Sequence, residues 1–582
     1  MVFNTVMTEA YFESFDGTRS GWRAAFNNPR SVFEAHSMED VRSAIAAAER
    51  AAREGRWAVL MLSYEAAPVF DRAMIVHAAG EFPLAWVAVF DEIQEPAIES
   101  TGEYQASAWE SLISREEYEK AIHSIHRHIE AGDTYQVNYT FPLRCRFAGD
   151  ARVWHRNLGA SQGAKHAAFL DMGRYKILSH SPELFFEREA NSLIVRPMKG
   201  TAARGRWMEE DEAQARRLAE SEKDRAENLM IVDLLRNDLG KVSETGSVRA
   251  LRLFEIERFR TVLQMTSTIE SACKPSTGLK EILDALFPCG SITGAPKISS
   301  MRIIRELEPF PRSVYTGAIG LIRPGGDCAF SVAIRTIVID AQTGEARFGV
   351  GGGITCDSTA AGEYDECLVK ARFLDHTWPR FQLLETMLLD EGRYFLLERH
   401  LRRAASSAAY LGFRWNEEDI LDALRSVQAD HPTRRWKVRL LVNEDGAASV
   451  EVYEQAAEDE RLRRVKFASE PINSQDPFIY HKTTHRAVYE KAFSERGDCD
   501  DVILWNKRGE ATESCFANII IEIDGQRWTP PRESGLLAGT FRDEMIAEGL
   551  ARERVIRKEE LLRARSFFLI NSVQKWMRAV II

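Results

Sequence analysis

The hydrophobic pattern of this chain changes character once, near Asp375–Arg380, and no Gly/Ser-rich stretch marks the change. Two abutting units are therefore expected, residues 1–375 and 380–582. At 582 residues the chain is too long for one ordinary core. It shows no repeat with a period of roughly 20–50 residues and no low-complexity tract. Hydrophobic residues at 45% and charged residues at 28% are the shares of a soluble globular enzyme. A formal net charge of -11 argues against a nucleic-acid binder with a basic face. The eight cysteines are scattered without a CxxC pair, so neither a zinc knuckle nor a redox dithiol is indicated. With no signal peptide and no long apolar run, the chain reads as a cytoplasmic protein in a reducing setting, with no membrane partner.

In the first unit, period and punctuation predict helices over Met38–Arg53 and Arg115–Ile129, the second stopping at Ala131-Gly132-Asp133. Strands are predicted at Trp57–Leu62, Phe82–Phe90, Tyr135–Thr140, Ala167–Leu170 and Tyr175–Leu178. Glu210–Leu239 reads as one long helix closed by Gly240. Ser331–Ile339 reads as one apolar strand carrying Arg335, which when buried needs an anion: an internal carboxylate or a ligand's. Gly351-Gly352-Gly353 follows a strand at Ala346–Val350 and can aim amides at an anion, though it fits neither a Walker nor a Rossmann fingerprint.

Three features suggest chemistry. In Pro197-Met198-Lys199-Gly200-Thr201-Ala202-Ala203-Arg204-Gly205, small residues leave room for a ligand beside a lysine. Burial, or a neighbouring cation such as Arg204, would free that lysine's lone pair. Glu183 ends a strand before Leu184-Phe185-Phe186, an apolar wall that would raise its pKa and suit it to general acid work. Asp224 with Glu227, and Glu363 with Glu366, stand three apart on two helices and could hold one hard cation with waters. Taken singly, a turn lysine and solvated acidic faces are the commoner explanations.

Taken jointly and in order, Ala131–Thr140, Ser181–Leu184, Pro197–Arg204, Glu222–Gly240, Ser291–Lys297, Ala333–Thr336 and Gly351–Lys370 resemble the chorismate-utilising enzymes. The resemblance implies antiparallel sheets and helices, a mixed α/β (α+β) fold, around a deep site for chorismate. It implies magnesium (Mg2+) held by Glu227 and Glu366, with Asp224 and Glu363 acting through water. Gly200, Thr201, Thr293, Tyr315, Arg335 and the amides of Gly351, Gly352 and Gly353 are implied to meet the substrate. Glu183 is implied as general acid. Lys199 stands where family members that make anthranilate or isochorismate carry alanine, and implies addition of ammonia at C4 through a covalent lysine step. Gln264 departs from the histidine of the anthranilate-forming members. No Gly-x-Cys-x-Gly glutaminase motif is present, so ammonia is expected from solution or from a separate glutamine amidotransferase subunit.

In the second unit, strands are predicted at Leu383–Met387 and Tyr394–Leu396, and a helix around His400–Arg403. With His481–Arg486, Glu510–Ser514, Asn518, Leu537–Arg542 and Leu569–Ser572 these resemble the fold-type IV pyridoxal 5'-phosphate enzymes, which include branched-chain and D-amino-acid aminotransferases and a lyase of aminodeoxychorismate. That resemblance implies Lys482 as the cofactor lysine and Glu513 at the pyridine nitrogen. It implies Arg403 and the Gly539-Thr540-Phe541 loop at the phosphate, and a homodimer. The two resemblances together imply chorismate conversion to 4-amino-4-deoxychorismate and then to 4-aminobenzoate. The competing expectation is an anthranilate-forming unit fused to an amino-acid aminotransferase.

Overall fold

The computed structural model describes residues 8–13, 23–94, 102–163, 165–374, 378–456, 461–564 and 567–582. The boundary expected at Asp375–Arg380 falls in part on residues 375–377, outside the described residues. Two compact units are present: residues 1–203 with 215–378, and residues 204–214 with 379–582. No described helix is long and apolar enough to cross a membrane.

The first unit is built on two ten-stranded sheets whose pairings are all antiparallel. One core cluster joins them: Phe12, Phe26 and Leu170 from one sheet meet Val59, Trp86, Ile319 and Leu321 from the other. The outer face of each sheet is covered by helices, so alternate residues of the same strand serve different cores. Ala58, Leu60 and Leu62, for example, pack with the helix Met38–Arg53, while Val59 and Met61 face inward. That helix begins and ends where the apolar period does, with Ser37 and Asp40 forming a capping box.

Three expectations change. The pattern over Glu210–Leu239 is two helices, Met208–Glu220 and Glu222–Val242. The break is Ser221, whose side chain accepts from the Asp224 amide and so starts a new helix. Gly240 lies inside that second helix, not at its end. Ser331–Ile339 is two strands, Cys328–Val332 in one sheet and Thr336–Asp340 in the other. Arg335 sits at the crossing with φ 50°, since no single straight strand can serve both sheets. The three glycines lie within the strand Glu345–Ile354, where Gly351, Gly352 and Gly353 pair with Thr140, Tyr139 and Asn138.

The second unit has a four-stranded sheet centred on Leu383–Asp390 and Arg435–Val442, and an eight-stranded sheet of mixed direction. Of the strand expected at Tyr394–Leu396 only Tyr394 is strand, in the pair Arg393–Tyr394; the helix Leu397–Leu411 starts directly after Leu396.

In the first unit, a buried ion pair fixes the strand Gln136–Gly149. Arg312 donates to Glu308 at 2.6 Å, to the carbonyl of Asn138 at 2.7 Å and to that of Ile292 at 3.0 Å. Glu308 in turn accepts from the amide of Thr140 at 2.8 Å. Removing one partner strands the other charge, so Arg312→Ala is expected to destabilise the first unit by about 3–5 kcal/mol. Glu308→Gln, which keeps an acceptor for Thr140, is expected to cost less; urea unfolding of both variants measures this.

Candidate functional site

The strand Met198–Ala203 runs against Val262–Ala272, with Met198 opposite Thr266 and Thr201 opposite Gln264. The register slips between those pairs, and Gly200 takes φ 97° there, which glycine adopts without strain. The slip pushes Lys199 out of the ladder. Gln264 holds it: its Nε2 donates to the Gly200 carbonyl at 2.7 Å, and its Oε1 accepts from Thr201 Oγ1 at 3.0 Å. Asn228 donates to the Lys199 carbonyl at 3.3 Å. Gln264 is thus a brace of the lysine turn, a role its departure from the family histidine did not suggest.

Lys199 reaches across to the other sheet. Its Nζ lies 2.2 Å from the point where a Cβ on Gly353 would stand. It is 3.6 Å from Glu227 Oε2. Burial lowers its pKa; Glu227 opposes this, and Lys370 adds to the lowering. Arg204 is not the neighbouring cation. It pairs with Asp211 at 2.6 Å and lies 4.3 Å over the Tyr410 ring, all within the second unit. Nor does Gly205 make room for a ligand, because a Cβ there would meet the Asp211 amide at 2.1 Å.

The helix Glu222–Val242 brings Asp224 and Glu227, and the helix Ala360–Ala371 brings Glu363, Glu366 and Lys370. Glu366 pairs with Lys370 at 2.9 Å, and Lys370 donates to the Gly351 carbonyl at 3.0 Å. Glu363 accepts from Ser358 at 2.7 Å and Asp224 from Ser221 at 2.5 Å. Glu227, Glu366 and Glu363 all act on the charge of Lys199. Among the described residues, no three His, Cys, Asp or Glu side chains are gathered closely enough to hold a metal together. Magnesium needs only one or two carboxylates with waters, so two hard oxygen donors from two helices suit it by chemistry.

Glu183 lies between the strands Tyr175–Ser181 and Leu184–Glu189, 3% exposed. Burial pushes its carboxyl up to about 7, against the hydrogen bonds it accepts from Ser291 and the Met198 amide. Ser291 Oγ is 2.6 Å from its Oε1. Thr293 is fully buried, and its hydroxyl donates to the carbonyls of Gly290 and Cys289, closing the turn. Arg335, half-buried, lies 5.9 Å over the Phe259 ring, and burial lowers its guanidinium to about 10. Tyr315 packs over Gly349, four residues along the strand from Gly353. It lines a cavity of about 500 Å³ with Thr140, Tyr175, Arg312, Thr336 and Arg347. None of Lys199, Glu183, Arg335 or the glycine run lines that cavity.

In the second unit, Lys482 is half-buried, and its carbonyl accepts from the Leu384 amide at 2.9 Å. Burial first, then Arg486 and Arg403, lower its amine to about 7. Glu513 is buried and raised to about 7 by desolvation, while its carboxylate accepts from Tyr489 at 2.8 Å and the Leu537 amide at 2.9 Å. Arg403 grips Glu385 with two hydrogen bonds of 2.8 and 2.6 Å and donates to the Ala538 carbonyl at 3.0 Å. Gly539 caps the helix Thr540–Ala547, and a Cβ on it would stand 2.0 Å from Asn518 Oδ1. The Thr540 hydroxyl lies 3.2 Å from His400 Nε2. Phe541 turns into the core against Phe395 and Trp576, so its amide, not its ring, faces the helix start. A half-buried amine lowered to about 7, a buried acid and a helix N-terminus beside an arginine fit pyridoxal phosphate. Sequence reasoning missed Glu385, Tyr489 and Lys370. Lys370 was signalled by its place four residues after Glu366, and Glu385 by being an acid inside the mostly apolar run 383–389.

Residues 8–376 match the chorismate binding enzyme family, well over half of the chain. The chain belongs to the chorismate binding enzymes. Residues 382–582 match the amino-transferase class IV family. This chorismate binding enzyme is 41% identical over 270 residues to aminodeoxychorismate synthase component 1 of Klebsiella aerogenes, across 46% of its own length and 59% of the relative's. It is 36% identical over 266 residues to anthranilate synthase component 1 of Aquifex aeolicus, across 46% and 53%. The chain thus spans little more than half the length of these curated relatives. The crystal structure of anthranilate synthase component I from Streptococcus pneumoniae aligns with a TM-score of 0.52 at 23% identity, over 65% of this chain and 93% of that one, which shows the shared fold.

The Glu183 carboxyl gives a test of the site's electrostatics. Its pKa is higher in the folded chain than the usual 4.5. The folded state therefore keeps a proton that the unfolded chain releases, and the stability this proton contributes is lost as pH rises from about 4.5 to 7. Glu183→Gln, always neutral, is expected to gain on the native protein by roughly 2–3 kcal/mol between pH 4.5 and 8. Urea unfolding at both pH values measures it, and an unchanged difference would refute the assignment.

Proposed function

We propose that this enzyme converts chorismate and ammonia to 4-amino-4-deoxychorismate in its first unit and releases pyruvate from that product in its second, giving 4-aminobenzoate. The observation that carries the reading is Lys199, an amine whose pKa burial lowers and which stands in the space left by a missing Gly353 side chain. A lysine there is a nucleophile, not a substrate-binding cation. Its Nζ would attack C2 of the ring while both ring double bonds shift and the C4 hydroxyl leaves. Glu183, protonated near neutral pH, would give that hydroxyl its proton. Ammonia would then form its bond at C4, the double bonds would shift back, and the C2–Nζ bond would break. Arg335 and the amides of the glycine strand are proposed to hold the substrate carboxylates.

Magnesium would be held by Glu227 and Glu366, with Asp224 and Glu363 reached through water, and when bound would offset the substrate's negative charge. The relatives bear the name component 1, which supports a separate partner as the ammonia source; we assign that part to a glutamine amidotransferase subunit.

In the second unit, pyridoxal phosphate would supply an electron sink. Lys482, with an amine near neutrality, would hold the cofactor and move protons. Glu513 would sit at the ring nitrogen, and Arg403 with the amides of Gly539 and Thr540 at the phosphate. The join of the two units supports elimination over amino-group transfer, because the first product is the amine that the second unit would take.

Incubation with chorismate, ammonium and magnesium is expected to yield 4-aminobenzoate and pyruvate by chromatography. Lys482→Ala is expected to stop at 4-amino-4-deoxychorismate, and Lys199→Ala to form neither while keeping its melting temperature. 2-Aminobenzoate as sole product would overturn the reading. Gly353→Ala places a methyl group 2.2 Å from Lys199 Nζ. That displacement is expected to lower kcat by about 100-fold. A variant with native kcat would show that Lys199 does not act from this position.

A further inference from the structure

Tyr489 is a buried residue of the helix Ala487–Ser494, seven residues after Lys482. Its ring packs in an apolar cluster with Ile479, Ala492, Val502 and Leu504. Phenylalanine would fill that space as well, so packing does not account for the hydroxyl. The hydroxyl has one hydrogen to give. Two acceptors lie within reach, Glu513 Oε1 at 2.8 Å and the Ile479 carbonyl at 3.4 Å. The shorter bond, to a carboxylate, takes it. Burial and the charge of Glu513 hold the phenol well above its usual range, so it stays a donor. The Arg486 guanidinium lies 4.5 Å over the same ring and is itself tied to the Cys515 carbonyl at 2.6 Å, which fixes the ring's plane.

The two oxygens of Glu513 are unequally committed. Oε1 accepts from Tyr489 and from the Leu537 amide at 2.9 Å. Among the described residues Oε2 meets only Asn518 Nδ2, at 3.3 Å, and that group also donates to the Leu537 carbonyl at 2.9 Å. We infer that Tyr489 is a positioning residue for the cofactor of the second unit: with the Leu537 amide it occupies Oε1 of Glu513, keeps that carboxylate ionised and turns Oε2 to the pyridine nitrogen. This rests on the proposed role of the unit as a pyridoxal phosphate enzyme. The groups that converge on Glu513 are a phenol, an amide and a carboxamide, and all of them donate. Donors favour the anion, whereas burial favours the neutral acid. The distinction matters because only an anion at the ring nitrogen holds a proton there, and the protonated ring is the better electron sink. Tyr489 opposes the cost of burying that charge without adding a charge of its own.

Cofactor binding to the full-length protein, stripped of cofactor, tests this. The protein is titrated with pyridoxal phosphate and with its deaza analogue, in which a C–H group replaces the ring nitrogen. The quantity read is the ratio of the two dissociation constants, from which general damage to the pocket cancels. The native protein is expected to prefer pyridoxal phosphate. Tyr489→Phe is expected to lower that preference by about tenfold, because a hydrogen bond to a charged carboxylate is worth more than one to a neutral acid. In a Glu513→Gln background the same change is expected to leave the preference within about twofold. Melting curves check that each variant is folded. An unchanged preference in Tyr489→Phe, or an equal loss in both backgrounds, would overturn the assignment. If Tyr489→Phe does not fold, a crystal structure of the native protein with pyridoxal phosphate decides. Oε2 facing the ring nitrogen with Tyr489 still on Oε1 is expected, and Oε1 at the nitrogen overturns it. A native protein with no preference between the two compounds refutes the proposed seat of Glu513 at the ring nitrogen, and Tyr489's part with it. A native preference that survives Tyr489→Phe refutes Tyr489's part alone.

Discussion

An amine gives up its proton more readily where its charge is costly, and the first unit is arranged around such a place. Lys199 sits between two sheets, with burial working against its proton and three carboxylates working for it. Lys370 settles part of the contest: it neutralises Glu366 at 2.9 Å and repels a proton on Lys199. The slip in register at Lys199–Gly200 matters because a lysine in regular register would leave the gap. Gln264 and Asn228 hold the slip through backbone carbonyls, so the lysine's place is fixed by polar groups that carry no charge themselves.

The second unit reaches a similar amine by other means. Around Lys482 the lowering comes from burial and from two guanidiniums, Arg486 and Arg403. The nearby acid, Glu385, is held down to about 2 chiefly by Arg403 and His400 against the cost of burial. It therefore stays a fixed anion that anchors Arg403 and the imidazole, and has less influence on the lysine than the cations do. One unit balances a lysine against carboxylates and a second lysine, and the other against arginines. Both balances depend on desolvation, which makes access of water the common control.

Much of this was legible in the sequence. Met38–Arg53 and Trp57–Leu62 were readable because one apolar period governs each from end to end. Lys199, Glu183 and the two carboxylate pairs were readable because spacing places them on helix faces or at strand ends. What escaped depended on partners far along the chain. Arg204 looked like a cation for Lys199 because it is five residues away, yet Asp211 and Tyr410 claim it. The break at Ser221 is a competition between a side-chain cap and a helix that was otherwise free to continue.

The glycine run shows how residues singled out by their sequence can carry a different physics from the one that sequence suggests. Three successive glycines suggest a nest of amides around an anion. In the fold they are strand residues in register with Asn138–Thr140, so their shared property is the missing side chain. Neighbouring residues of a strand face opposite ways. On one face, Gly353 admits Lys199 and Gln136; on the other, a Cβ on Gly352 would lie 2.9 Å from Glu363 Oε2. A side chain at either position would push one of these groups away, whereas glycine at both lets a base and an acid approach one strand from its two sides. Consecutive glycines are therefore what a strand requires when both of its faces are occupied by functional groups, and the requirement holds whether or not their amides also bind an anion.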